Sequence, residues 1–149
     1  MDEAAAKQAF AKALGSYSQD FGTFFLARLL ALDITYPDDT CRIAFPAPDF
    51  LYNPQGTFHG GIIATILDIS MGHLLRRSYG VPGSTLEVKL QYFAPVTTAT
   101  AWCEARFLKK GKGIAFLESR LFNQQNDLCC MATSTWKVLR VEKASPGKT

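Results

Sequence analysis

The chain has 149 residues, the usual length of one domain, and we interpret it as a single domain over 1–149. With 48% apolar and 19% charged residues it can fill a core without metals or disulfides, which excludes a mainly disordered state. Residues 1–75 hold 4 basic and 8 acidic side chains, a net −4, whereas residues 76–149 hold 12 and 5, a net +7. The sequence pI of 8.7 lies below the value of about 9 typical of nucleic-acid-binding domains, so we expect no nucleic-acid partner.

The sequence gives no sign of a membrane span, a secretory signal or a disulfide framework. Its longest apolar stretch, 24–34, is interrupted by Arg28 and Asp33 and is shorter than the ~18 residues that a membrane helix needs. The N-terminus lacks the basic start and apolar run of a secretory signal. The four cysteines form no CxxC pair, and we interpret them as small hydrophobic residues. We therefore expect a cytoplasmic protein that contacts no membrane and needs no metal or other cofactor.

The first part of the chain predicts helices followed by a hairpin. Residues 1–31 predict two helices, one over 4–14, which is rich in helix formers, and one near 21–31, where apolar residues recur at helical spacing. Two short apolar runs, at 34–36 and 41–45, flank four turn-forming residues. These runs predict a β-hairpin.

An unusual helix is predicted in the middle of the chain. Residues 47–58 include three Pro or Gly residues and predict an ordered loop. The segment that follows, from His59 to Leu75, is apolar on most of a helix circumference. Helices of this kind are buried, so we expect this one to lie in the core.

The second half of the chain predicts strands. From residue 85 the apolar period changes to two, with Leu86, Val88, Leu90 and Tyr92 on one face of a half-buried strand. Short connections make neighbouring strands antiparallel, and we expect a four-stranded meander. One buried helix between a hairpin and a meander predicts an α+β fold, in which a single antiparallel sheet wraps around the helix. Three further strands are predicted at 100–109, 113–122 and 128–140, and the polar tail at 141–149 is expected to fray.

Asp68 is the one acidic residue of the predicted buried helix, and burial should raise its pKa. One interpretation is a structural Asp that bonds a backbone amide; the other is a functional carboxylate, because perturbed carboxylates occur at active sites. Gly61, Thr65 and Gly72 share a side of the helix with Asp68. Their small size leaves a strip where a ligand or a second chain can approach closely.

The same helix begins with Gly60 and Gly61, whose unpaired N–H groups can hold a negative oxygen. An oxyanion donor and a general base are the two halves of an acyl-transfer hydrolysis. Gly60 and Asp68 are eight residues apart, about 12 Å along a helix, too far to act on one carbonyl. Two helices packed antiparallel around a two-fold axis would bring Gly60 of one chain opposite Asp68 of the other. We therefore predict a homodimer with active sites in its interface.

A pattern of spaced residues surrounds this helix and extends over residues 30–140. It runs Asn53-x5-His59-Gly60-Gly61-x6-Asp68, then Gly80-x-Pro82-Gly83-x-Thr85, Tyr92-x-x-Pro95 and Lys109-Lys110-Gly111-Lys112. The pattern resembles that of the hotdog-fold acyl-CoA thioesterases of the phenylacetate-degradation type, the family that includes mammalian thioesterase-superfamily member 2.

The resemblance implies a hotdog fold that hydrolyses an acyl-CoA thioester to free CoA and a carboxylic acid, as a homodimer that pairs into a homotetramer. It implies that Asp68 activates water or attacks the thioester directly, while the Gly60 N–H polarises the carbonyl. The sequence leaves both routes open, and it leaves the acyl group open between aryl and aliphatic classes. Positioning by Asn53, bracing by His59 and a hydroxyl that Thr85 supplies from the partner subunit's side are further implications. Some relatives place a hydroxyl one turn after the carboxylate, where this chain has Gly72.

The resemblance also implies contacts to coenzyme A, whose phosphates would suit the basic second half of the chain. The implied CoA-binding residues are Gly83, Tyr92, Lys109, Lys110, Gly111 and Lys112.

Each assignment has a simpler alternative. Asn53 can initiate a turn, His59 can make one backbone hydrogen bond at the helix start, and the lysines can form a solvated hairpin tip. His73 matches no role in the pattern and is interpreted as a packing or interface residue. For the whole protein, the alternative function is a non-catalytic acyl-CoA-binding protein on the same fold. A dehydratase is disfavoured, because His59 followed by two glycines does not fit a catalytic His paired with a carboxylate.

Overall fold

A computed structural model describes residues 1–139. The predicted tail at 141–149 and the end of the last predicted strand lie outside the described residues. The elements in chain order are α1 Glu3–Ser16, α2 Phe25–Leu29, β1 Asp33–Thr35, β2 Cys41–Pro46, a 3-10 turn Asp49–Leu51, α3 Gly60–Tyr79, β3 Gly83–Tyr92, β4 Thr100–Lys109, β5 Ile114–Asn123 and β6 Leu128–Val138.

The six strands form one antiparallel sheet in the order β1-β2-β4-β5-β6-β3. The predicted hairpin is confirmed, with Ile34 of β1 opposite Ile43 of β2. The four-stranded meander is wrong in one respect, because β3 does not lie beside β4. It pairs with β6 at the far edge, where Thr85 lies opposite Trp136. The segment 93–99 is too long for a tight hairpin and carries the chain across the sheet.

Helix α3 packs against one face of this sheet and contacts β2 to β6. The prediction of a buried central helix wrapped by a sheet, the hotdog arrangement, is confirmed. The helix ends at Gly80, which adopts the left-handed conformation with φ 70° that favours glycine. Its apolar side chains meet those of the sheet in the core, whose largest fully buried members include Ile43, Ile66, Leu67, Met71, Leu75, Leu117 and Leu121. No helix in the range 1–139 has the length and apolar character to span a bilayer.

The second predicted helix is shorter than expected. Residues 21–24 precede α2 in a turn, in which the Ser18 N–H donates to the Thr23 carbonyl at 2.9 Å. The Ser18 hydroxyl also donates to Asp20 at 2.7 Å. Ser and Asp side chains offer the backbone an alternative to helical hydrogen bonds, which explains the late start of α2.

The four cysteines are free and fully buried. Burial raises the pKa of Cys41 and Cys103 to about 12, so the reactive thiolate is suppressed. This environment agrees with their interpretation as small hydrophobic residues.

Strand β3 is an edge strand, and its outer side pairs with no strand of the described chain. Only Val88 and Leu90 of its predicted inner face are partly buried, whereas Leu86 is 56% and Tyr92 52% exposed. The register shifts between Thr85 and Glu87, which breaks the alternation at Leu86. A ten-residue edge with exposed apolar side chains is a surface that can pair with another strand.

Candidate active site

Asp68 lies in the middle of α3 and is half-buried. Its Oδ1 atom accepts a hydrogen bond of 3.0 Å from the hydroxyl of Thr85, on the neighbouring strand β3. This contact lies within one subunit, whereas Thr85 was expected to act from the partner's side. Desolvation raises the pKa of Asp68, and the bond from Thr85 opposes that rise. The upward direction is the one expected from the sequence. The partner of this carboxylate is a side chain, and no described backbone amide donates to it.

A cavity of about 680 Å³ opens beside Asp68, within the range of small-molecule sites. Helix α3 supplies one wall, Val88 and Leu90 of β3 another, and the Trp136 indole a third. The remaining wall comes from the N-terminal segment and consists of Phe21, Phe24 and Leu26.

This N-terminal wall is absent from the sequence interpretation. The sequence leaves open which of Phe50, Leu51, Phe58 and Met71 line the acyl pocket, because this depends on the dimer geometry, and within one subunit none of them lines this cavity. A run of apolar residues at helical spacing indicates a packing face, but it does not say which cavity that face closes.

Gly72 and Gly83 shape the cavity by allowing close packing. A Cβ atom on Gly72 would lie 3.0 Å from the Trp136 ring. A Cβ atom on Gly83 would lie 2.7 Å from a methyl group of Leu75 and 3.2 Å from the Lys137 carbonyl oxygen. Gly83, predicted as a CoA contact, therefore has a packing role in the structure.

Gly60, the first residue of α3, lies outside the Asp68 cavity. It lines a second cavity of about 400 Å³ together with Asn53 and Tyr92. No residue in the described range accepts a hydrogen bond from the Gly60 N–H, while its carbonyl accepts one of 2.7 Å from the Tyr92 hydroxyl. One subunit therefore holds the carboxylate and the backbone donor in separate cavities, as the 12 Å estimate along the helix requires.

His59 caps the start of α3. Its Nδ1 atom accepts a hydrogen bond of 2.9 Å from the Gly61 N–H. In the neutral imidazole the proton then lies on Nε2. This contact fits both the bracing role and the simpler alternative of a single backbone hydrogen bond.

Asn53 is engaged within its own loop. Its Oδ1 atom accepts hydrogen bonds from the backbone N–H groups of Gln55, at 3.0 Å, and Thr57, at 3.2 Å. Its amide donates to the Thr57 hydroxyl at 2.9 Å. This is the geometry of a side-chain turn, which favours the turn-initiating interpretation.

The predicted lysines lie at the end of β4 and on the turn that leads to β5, and they line neither cavity. Lys109, Lys110 and Lys112 are exposed, and the Lys110 ammonium lies 4.6 Å above the Phe107 ring. The turn is held at the C-terminal end of α3 by the Tyr79 hydroxyl, which donates to the Gly111 carbonyl at 2.8 Å. A Cβ atom on Gly111 would collide with the Ile114 carbonyl oxygen, so the turn requires glycine.

Within the described residues, no group of three or more His, Cys, Asp or Glu side chains is placed to hold a metal ion. The polar groups around the Asp68 cavity are a carboxylate, hydroxyls and one imidazole.

Comparisons with known proteins agree with this architecture. Residues 55–130 match the sequence pattern of the thioesterase superfamily. Human acyl-coenzyme A thioesterase 13 is 36% identical over 74 residues, which are 48% of this chain and 53% of that protein. The matched region thus spans about half the length of this relative.

Solved structures share the whole fold. The BH2602 protein of Bacillus halodurans, crystallised with CoA, has a TM-score of 0.85 and 24% identity, and the match covers 95% of each chain. The E. coli PaaI protein of the phenylacetic acid degradation operon has a TM-score of 0.76 and 16% identity over 89% of this chain and 96% of that one. The match of residues 55–130, half of the chain, shows that the chain belongs to the thioesterase superfamily, and its fold agrees with that assignment.

Proposed function

We propose that this protein hydrolyses an acyl-CoA thioester to free CoA and a carboxylic acid, in active sites shared between two subunits. The observation that carries the proposal is the half-buried Asp68 carboxylate, hydrogen-bonded to Thr85 at 3.0 Å and open to a largely apolar cavity of about 680 Å³. An acyl group fits such a cavity, and the thioester carbon would lie near the carboxylate. The superfamily and the CoA bound to the Bacillus relative support this substrate class.

Two routes agree with this geometry. In the first, Asp68 takes a proton from water, the hydroxide adds to the thioester carbon, and the C–S bond breaks as CoA leaves and receives the proton. In the second, an Asp68 oxygen adds to the thioester carbon, CoA leaves, and water hydrolyses the resulting anhydride. In both, the oxyanion needs a donor such as the Gly60 N–H.

The edge strand β3 supports a dimer that would supply this donor. Along β3, Thr85 contacts Asp68 at one end and Tyr92 contacts Gly60 at the other, about 23 Å away. Antiparallel pairing of two β3 strands, centred on Val88 or Lys89, places Thr85 of one subunit near Tyr92 of its partner. Gly60 of the partner then approaches Asp68, and the two-fold axis generates two such sites.

Engineered disulfides test this pairing. Residues opposite each other on antiparallel strands have Cα atoms about 4.5 or 5.5 Å apart, within disulfide range. We expect Val88→Cys or Lys89→Cys to give a dimer on non-reducing gels, and the exposed Arg28→Cys to give none. The native cysteines are fully buried and give little background. A monomer in sedimentation, or no crosslink at either position, would overturn the β3 dimer.

Substitution of Asp68 tests the reaction itself. We expect Asp68→Asn to lower thiol release from a panel of acyl-CoA substrates by about 100- to 10,000-fold, because it removes the base or nucleophile. The matched control is Asp33→Asn, which alters an exposed carboxylate on β1. Calorimetric binding of CoA should persist in both variants. Wild-type binding of acyl-CoA without any turnover would instead favour the non-catalytic binding protein.

A single turnover in ¹⁸O-labelled water bears on the choice of route. General-base catalysis delivers the label only to the carboxylic acid product. Appearance of the label in the Asp68 side chain requires an anhydride that water opened at the aspartyl carbon.

A further inference from the structure

A second cleft lies beside the Asp68 cavity, between the C-terminal half of α3 and the N-terminal segment. Its volume is about 350 Å³. It is lined by Phe21, Gly22, Tyr36, His73, Arg76 and Arg77.

Two guanidinium groups stand in this cleft, each against an aromatic ring. The Arg76 guanidinium lies 4.7 Å from the Phe21 ring centre, and that of Arg77 lies 5.3 Å from the Tyr36 ring centre. Such contacts hold the side chains in place. Neither arginine forms a salt bridge within residues 1–139, and the lining of the cleft includes no carboxylate. Basic residues are common at helix C-termini, so their position alone does not indicate a ligand.

His73 supplies an independent indication. Its side chain is 3% exposed and lines both the cleft and the Asp68 cavity. Its Nδ1 atom is hydrogen-bonded to the Tyr36 hydroxyl at 2.7 Å. The Phe21 backbone also approaches the ring, but the buried Nε2 atom makes no hydrogen bond of good geometry among the described residues. A buried polar atom without a partner is costly and rare.

The charges around His73 are unbalanced. Burial lowers the pKa of His73, the positive charge of Arg76 lowers it further, and the Phe21 backbone acts in the opposite direction. The titratable neighbour from another element is the Tyr36 hydroxyl, and Arg77, on α3 itself, also lines the cleft. Neither is negative while Tyr36 keeps its proton. An anion in the cleft would offset this repulsion and favour the imidazolium.

We propose that the cleft binds a phosphate group, held by Arg76 and Arg77 beside the His73 imidazole. The planar guanidinium fork matches two phosphate oxygens, and its stacking on a ring reduces the ordering cost of the bond. The phosphate belongs either to coenzyme A or to a free anion. Binding here does not depend on hydrolysis at Asp68, so this site and the proposed function can fail separately.

Imidazole NMR with inorganic phosphate tests the site. The chain has two histidines, and His59 serves as the internal control. We expect saturating phosphate to raise the pKa of His73 by about one pH unit. The imidazole resonances of His59 should not respond to phosphate. Arg76→Ala and Arg77→Ala should each weaken phosphate binding by about 10-fold, the value of one charge-assisted hydrogen bond. The matched control is Arg28→Ala, which removes an exposed arginine from α2.

Competition experiments distinguish coenzyme A from a free anion as the source of the phosphate. If CoA displaces inorganic phosphate and dephospho-CoA does not, the site is supported and is assigned to the 3′-phosphate of CoA. If neither CoA nor dephospho-CoA displaces the bound phosphate, the site is supported and is assigned to a free anion. The proposal is overturned if phosphate produces no saturable change at His73, or if the change persists in the Arg76 and Arg77 variants.

Discussion

Removal of the Thr85 hydroxyl should shift the pH dependence of catalysis. This hydroxyl donates to Asp68 at 3.0 Å and counteracts the rise in pKa that burial causes. In Thr85→Val the carboxylate loses its donor, so the protonated acid is favoured and the pKa of Asp68 rises. Catalysis by either route needs the carboxylate, and the acid limb of kcat/KM should therefore move to higher pH.

The expected change in the pKa of Asp68 follows from the strength of this hydrogen bond and from the exposure of Thr85 to water. A hydrogen bond to a charged group contributes about 1.5–3 kcal/mol, and about 1.4 kcal/mol corresponds to one pKa unit. Thr85 is exposed, and water will replace part of the lost bond. We therefore expect an upward movement of about 0.5–1 pH unit. At the high-pH plateau, kcat/KM should recover most of its wild-type value if Thr85 acts only through Asp68.

Loss of thioester absorbance between about pH 4 and pH 8 measures this limb without depending on thiol ionisation. Thr85→Ser keeps the hydroxyl and should keep the wild-type limb, so the two variants form a matched pair. Identical limbs in both variants would refute the coupling between Thr85 and Asp68. An equal loss of kcat/KM at every pH in Thr85→Val would show that the hydroxyl acts directly on the substrate.

Two further predictions concern stability. Gly83→Ala should lower the free energy of unfolding in urea by about 1–3 kcal/mol, because the new methyl group meets Leu75 and the Lys137 carbonyl, whereas Gly15→Ala, with open space around it, should not. An unchanged urea midpoint in Gly83→Ala would contradict this packing. The second prediction concerns His73, whose pKa is lowered in the folded state. Below the unfolded-state pKa of about 6.5 the unfolded chain binds more protons than the folded protein does. In phosphate-free buffer the free energy of unfolding should therefore decrease by up to about 1.4 kcal/mol for each unit by which the pH falls, until the folded-state pKa is reached. His73→Phe should reduce this slope, and an unchanged slope would contradict the lowered pKa.

The central helix and its carboxylate were predictable because their signals are local. A segment that is apolar around most of its circumference has to be largely buried, and a carboxylate such as Asp68 within it has to be partly desolvated. The separation of Gly60 from Asp68 is fixed by helix geometry, so their placement in different cavities also follows from the sequence. The capping contact of His59 and the loop bonds of Asn53 are local as well, and the simpler interpretations included them.

The features that the sequence did not reveal depend on distant parts of the chain. The order of the strands depends on whether β3 pairs with β4 or with β6. The alternation of apolar and polar residues within a strand does not determine which strand lies beside it. The wall of Phe21 and Phe24 closes the Asp68 cavity from a segment more than forty residues away in the chain. Arg76 and His73 were unremarkable in the sequence because Tyr36 and Phe21, which complete their cleft, belong to other elements.

Asp68 and His73 line the same cavity, which couples the phosphate cleft to the proposed reaction. If bound phosphate charges His73, a positive imidazolium then lies about 8 Å along the helix axis from Asp68 and favours its carboxylate, whereas the negative phosphate disfavours it. At the dielectric constant of water the imidazolium alone contributes about 0.5 kcal/mol, or about 0.4 pH unit, and the phosphate charge offsets part of it. Inorganic phosphate should therefore move the acid limb of kcat/KM by less than about 0.4 pH unit, a smaller movement than that expected for Thr85→Val.

The same measurement in Arg76→Ala separates this coupling from a general salt effect. That variant should keep the phosphate-free limb at nearly the wild-type pH and lose most of the response to phosphate, whereas Arg28→Ala should keep the response. A phosphate response of equal size in all three proteins would show that screening, and not occupation of the cleft, moves the limb. No response in the wild-type protein, despite a raised pKa of His73 by NMR, would show that the charges of the imidazolium and the bound phosphate cancel at Asp68.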